Sequence, residues 1–182
     1  MPTGYFSLIL HAHLPFVRHP EYPEFLEEDW LYEAITEVYL PLIFIFQTLH
    51  EAGVKPRLAM NVSPPLCEML ADEMLQTRYT AHLENLLELA KKELVRTQTE
   101  SHEFQDVAKM YVDNLSSSLD LWNNRYNRNL INAFRELQDE GLPSGSRKRL
   151  VRTGDLPPIA MLDVFGRDPD GGLLARPAEA DE

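Results

Sequence analysis

The strongest constraint on what this chain can fold into is an apolar run, Tyr5-Phe6-Ser7-Leu8-Ile9-Leu10, that ends in His11-Ala12-His13-Leu14-Pro15. Hydrophobicity this continuous over so short a length is the pattern of a parallel strand covered on both faces, and Pro15 stops it. Strand side chains alternate, so His11 and His13 share a face and Ala12 points away from it. Two imidazoles are thereby delivered together to the carboxyl end of a strand, where α/β barrels place their chemistry.

Two prolines, Pro20 and Pro23, and several aromatic residues between Phe16 and Glu24 exclude regular structure and predict a long loop beside the histidines. Its aromatics, with Trp30, serve either as a platform for a sugar ring or as packing for the loop. From Asp29, an expected N-cap, Leu31, Ala34, Ile35, Val38 and Tyr39 recur at helical spacing. Pro41 predicts a kink, or a second helix that restarts around it and ends at Gly53. Arg57 to Ser63 reads as a second strand closed by Pro64-Pro65, so the order is β, α, β, a crossover that is parallel in nearly all cases.

Ser63 is the expected cap of a helix from Pro65 to Asp72, and a further helix follows from Leu75 to Leu94. His82 and His102 fall in helical or capping surroundings and read as solvated positions. From Ser101 to Asp139 one apolar stripe includes Phe104, Val107, Tyr111, Leu115, Trp122, Tyr126, Leu130, Phe134 and Leu137. That stripe predicts packing against other helices, as a helical hairpin laid over the βα frame. Ser116-Ser117-Ser118 and Asn123-Asn124 are the expected breaks.

Gly141 closes this region. Residues 142 to 182 hold five of the eight glycines and five of the thirteen prolines, with a basic cluster at Arg147, Lys148, Arg149 and Arg152, and no periodic segment. The expectation is a weakly ordered, irregular C-terminal tail.

A formal charge of −12 argues against a nucleic-acid partner, because phosphate binding needs a basic surface. Cys67 is the only cysteine, so no intrachain disulfide forms, which suits a reducing cytoplasm. Nothing in the chain approaches a membrane span, and the first apolar run lacks the basic flank of a signal segment.

Three roles are open to His11 and His13. They are structural and hydrogen-bonded; or they are metal ligands, as His-x-His is in amidohydrolase-like barrels; or they are neutral imidazoles that hydrogen-bond a polyol. A metal site needs further ligands, for which His19 is the nearby candidate, while Asn61 and Ser63 at the second strand end are poor ones.

Leu8-Ile9-Leu10-His11-Ala12-His13-Leu14-Pro15-Phe16-Val17-Arg18 resembles the first signature motif of glycoside hydrolase family 57, and more narrowly that of its bacterial α-glucan branching enzymes. The likeness continues in order through Leu31-Tyr32-Glu33-Ala34, Tyr39-Leu40-Pro41-Leu42, Asn61-Val62-Ser63-Pro64-Pro65-Leu66 and Leu70-Ala71-Asp72, covering residues 4 to 141.

The resemblance implies an α/β fold, the N-terminal fragment of a distorted (β/α)7 barrel with a long helical insertion. It implies no metal and no cofactor, an α-glucan such as amylose or glycogen as substrate, and His11 and His13 as substrate-contacting groups. It further implies a retaining mechanism, with a glutamate nucleophile and an aspartate acid/base on later strands, and transfer to a 6-hydroxyl in place of water. The expected division is residues 1–141 as the first part of the catalytic barrel and 142–182 as a tail outside the family.

Similar proteins continue past Gly141 into a third strand and a His-Gly motif, whereas this chain has Leu142-Pro143-Ser144-Gly145-Ser146-Arg147 and no histidine after His102. Loss of resemblance and periodicity at one point is what a frameshift or truncation produces. The expectation is therefore a chain without the catalytic carboxylates and inactive alone. The alternatives are a helical interaction module built on the Phe104 to Leu137 stripe and a metal-dependent amidohydrolase-like fragment.

Overall fold

A computed structural model describes residues 8–54, 59–100 and 102–139. Gly141 and the predicted tail lie outside the described residues. Two short strands, β1 (Ile9–Ala12) and β2 (Ala59–Val62), pair in parallel with Leu10 opposite Met60, His11 opposite Asn61 and Ala12 opposite Val62. The predicted crossover order is therefore present.

The two faces of this sheet differ. Ala12 and Val62 are buried in the core and Leu10 and Met60 pack against it. On the other face Ile9 is 65% exposed. The expectation of cover on both faces is thus corrected: among the described residues the helices lie against one face only, and the apolar content of Leu8 and Ile9 is not buried by them.

Between the strands the chain runs through helix α1 (Glu28–Glu33), a wider π-type stretch at Ala34–Tyr39, and α2 (Leu40–Glu51). Pro41 explains the widening. It has no N–H to donate and its ring crowds the carbonyl one turn back, so the helix opens before it and the Leu40 N–H reaches the Ile35 carbonyl five residues away. Asp29 is not the cap: α1 begins at Glu28, and Asp29 lies in the first turn, where its charge favours the helix N-terminus.

Gly53 ends α2 as predicted, at φ 75°. Its N–H bonds the His50 carbonyl at 2.8 Å and the Val54 N–H bonds the Leu49 carbonyl at 2.9 Å, the paired closure that a left-handed residue permits.

Helix α3 (Pro64–Ala71) follows β2 directly. Ser63 has the extended backbone of a cap, but its hydroxyl makes no capping bond. Pro65 removes one of the two donors that a capping oxygen uses. Asp72 does cap the next helix, α4 (Glu73–Thr99), accepting from the Leu75 N–H at 2.9 Å.

After a short 3-10 turn at His102–Phe104, α5 (Gln105–Asp120) packs back along α4, which is the predicted hairpin. The helix runs through the three serines without a break. Ser118 is buried, and the chain opens only at a second π-type stretch, Leu121–Arg125. Asn127 (φ 47°) and Arg128 (φ 60°) then turn the chain into α6 (Leu130–Asp139).

The core joins these layers. Leu31, Leu40, Ile43, Leu66, Leu75, Leu83 and Leu130 are fully buried, each contributing on the order of 2 kcal/mol by transfer from water. Trp122 lies edge-on to Tyr79 with ring centroids 4.8 Å apart, and its indole N–H donates to Thr80 Oγ1 at 2.9 Å. The second half of the apolar stripe, from Leu115 to Leu137, faces this core, while Phe104, Val107 and Tyr111 are exposed.

Candidate substrate-binding site at the first strand end

His11 and His13 stand where alternation along β1 predicts, on the exposed face at its carboxyl end, with rings stacked at a centroid distance of 5.7 Å and 27° between planes. Neither is buried. The parallel register adds to them. Residues opposite one another in parallel strands share a face, so Asn61 joins His11.

The Ser63 N–H extends the ladder, donating to the Ala12 carbonyl at 2.9 Å. Its hydroxyl is buried and has no hydrogen-bond partner. As site groups, Asn61 and Ser63 were expected only as poor metal ligands. Their amide and hydroxyl suit a polyol, and the signal for placing them at the site was the matched ends of the two strands.

His19 does not join this group. Its ring nitrogens are engaged by Glu21 at 3.3 Å and Glu27 at 3.1 Å, and its ring packs on Phe25 with centroids 3.8 Å apart. Burial opposes its protonation, but the hydrogen bonds and charges of Glu21 and Glu27 outweigh that and raise its pKa. Among the described residues no three His, Cys, Asp or Glu side chains are arranged to hold a metal ion.

The loop after β1 is fastened at its base and along its length. Val17 is buried and its N–H meets the Met69 sulfur at 3.3 Å. Arg18 Nε donates to Asp72 Oδ2 at 2.6 Å. Burial works against the Asp72 carboxylate, yet the Leu75 N–H and Arg18 together hold its pKa below the ordinary value.

Farther along, the Glu28 carboxylate, 1% exposed, accepts from Arg78 Nη1 at 2.5 Å, the Tyr32 hydroxyl at 2.8 Å and the His19 N–H at 3.3 Å. A buried carboxylate needs such a set of donors. Burial, with the Glu28 charge beside it, pushes the Tyr32 phenol well above its usual range. Nothing in the sequence singled out Glu28 or Arg78, because their pairing spans 50 positions.

Phe25 packs between His19 and Tyr22, whereas Phe16, Tyr22 and Trp30 are each about half exposed. His82 lies on α4 with its side chain 30% exposed, its ring 5.0 Å from that of Tyr32 and Nδ1 3.9 Å from Asp29. His102 is exposed.

The chain is similar in sequence and fold to known proteins. The chain is 35% identical over 140 residues to a 1,4-alpha-glucan branching enzyme of Thermococcus kodakarensis, an alignment covering 76% of this chain and 20% of that protein. Among solved structures it is similar to the alpha-amylase AmyC of Thermotoga maritima, with 44% identity, a TM-score of 0.68 and coverage of 75% of this chain and 26% of that one. The GH57-type branching enzyme of Pyrococcus horikoshii matches with 32% identity and a TM-score of 0.69 over 76% of this chain and 26% of that one.

The chain thus spans about a fifth of the curated relative's length and about a quarter of the solved ones. The model of glycosyl hydrolase family 57 matches residues 7–143, and the chain belongs to that family.

Proposed function

We propose that this chain supplies the first wall of an α-glucan cleft of the branching-enzyme kind, with His11 and His13 as groups that hydrogen-bond sugar hydroxyls. The observation that carries this is the stacked, exposed pair at the carboxyl end of β1, next to Asn61, in a chain of this family. Two imidazoles offer donors and acceptors side by side, which is what a ring of hydroxyls requires. A formal charge of −12 suits a neutral substrate.

In this reading β1, β2 and their helices are the opening of a distorted (β/α)7 barrel, and the α4–α5 hairpin is its helical insertion. Residues 1–141 form the family part and residues 142–182 a separate tail. Retaining transfer from an α-1,4 bond to a 6-hydroxyl needs two carboxyl groups roughly 5 Å apart. The family resemblance puts both on later strands, so the chain alone binds and does not turn over.

Incubating the purified 182-residue chain with amylose and counting α-1,6 linkages tests the second half of this reading. No rise is expected, and a measurable one contradicts it. The first half is tested by maltoheptaose binding to the wild type and to His11→Ala and His13→Ala, each of which is expected to weaken it by about tenfold.

A further inference from the structure

We infer that Arg78 is a positioning residue for the proposed glucan site, holding the loop that follows the histidine strand in one conformation from the far side, on α4. The inference rests on the reading of His11 and His13 as glucan contacts.

Three bonds made by one guanidinium carry it. Nη1 donates to Glu28 at 2.5 Å and to the His19 carbonyl at 3.2 Å, and Nη2 donates to the Tyr22 carbonyl at 2.5 Å. The carbonyls belong to the loop and the carboxylate to the first turn of α1. Glu28 closes the circuit by accepting the His19 N–H at 3.3 Å, so both backbone groups of His19 are held by the same ion pair.

The pair is built to last. Glu28 is 1% exposed on its side chain and Arg78 18%, unlike the surface pairs Lys92–Glu88 and Arg96–Glu100. Exposed pairs of that sort contribute little. A buried one whose remaining valences go to backbone carbonyls fixes geometry instead, and a planar fork suits several oxygens at set angles where an ammonium does not.

The loop so held has its other end at His13. Between them Val17 and Arg18 are tied to α3 and to Asp72, so the segment has few free dihedrals once Arg78 is in place. Tyr22 stacks on Phe25 at 5.3 Å, and Phe25 on His19, which places the exposed Tyr22 ring under the same control. Removing the guanidinium releases two carbonyls and leaves a buried charge, and a ligand must then order the loop at its own expense.

The test compares wild type with Arg78→Lys, Arg78→Ala and the double variant Glu28→Gln/Arg78→Ala, which leaves no uncompensated buried charge. Two quantities are read: hydrogen-exchange protection of the amides from His19 to Glu28, and the dissociation constant for maltoheptaose.

Loss of loop protection and about tenfold weaker binding are expected in all three variants. Low millimolar guanidinium is expected to restore both in Arg78→Ala, and Lys is expected to restore neither fully. Such rescue does not follow from general destabilisation. Unchanged binding in the double variant, with the wild type binding normally, overturns the inference and leaves the glucan reading standing. Absence of binding by the wild type overturns both.

Discussion

Single residues fasten the loop beside the histidines, and their titration gives that fastening a pH window. His19 has a pKa raised above 6.5 in the folded chain, so its contribution is complete below 6.5 and is lost as pH rises through the raised value. Asp72 is the opposite case. Its pKa lies below 3.8, so its contribution is present above 3.8 and is lost as pH falls through the depressed value. Amide protection in the loop, taken relative to the intrinsic exchange rate at each pH, is therefore expected to be greatest between these limits, and an NMR titration of the His19 ring checks the upper one. Asp72→Ala removes both the α4 cap and the partner of Arg18, and about 1 to 2 kcal/mol of stability is expected to go with it. Cys67 is buried and its thiol is pushed up to about 11, first by burial and then by Glu68. Thiol reagents are expected to leave it unmodified in the folded chain and to label it at once in denaturant.

At the scale of elements, the helices hold the site by packing, and the indole of Trp122 links the second π-type stretch to α4 and, through Tyr79, to the first π-type stretch and α1. It touches Tyr79 and bonds Thr80 on α4, while Tyr79 in turn meets Thr36 of the first π-type stretch at 3.0 Å and Tyr32 of α1. Trp122→Ala is expected to cost about 3 to 5 kcal/mol in chemical denaturation, far more than Phe104→Ala on the exposed start of the same stripe. The strands, the Gly53 closure and the helical hairpin were legible in the sequence because each rests on local periodicity or on one residue's backbone preference. So was the shared face of His11 and His13, which follows from alternation alone. Less visible was which side chains cap: Ser63, the expected cap, makes no capping bond because Pro65 removes a donor, whereas Asp72, read only as a helix end, caps the next helix. The Glu28 and Arg78 pair was not legible at all, since two common residue types 50 positions apart carry no periodic signal. The π-type widening before Pro41 was half legible, as a kink without its geometry.

At the scale of the whole molecule, the described residues couple a well-filled helical core to a sheet of two strands whose one face they leave open. Ile9, 65% exposed, gives this face an apolar character that the described helices do not cover. Open parallel edges of this kind favour self-association. The chain is accordingly expected to sediment as a mixture at high concentration and to bind a hydrophobic dye in its native state, which analytical ultracentrifugation and dye fluorescence check. The open face is also where the histidines stand, so what leaves the sheet unprotected is what makes the site accessible. Family 57 membership accounts for both features if the strand end is a wall of a glucan cleft. The most direct measurement is a titration of the chain with maltoheptaose, followed by the imidazole resonances of His11, His13 and His102. The account predicts saturable shifts at His11 and His13, none at His102, and a weaker isotherm in His11→Ala; shifts spread equally over all three histidines, or no saturation at all, would contradict it.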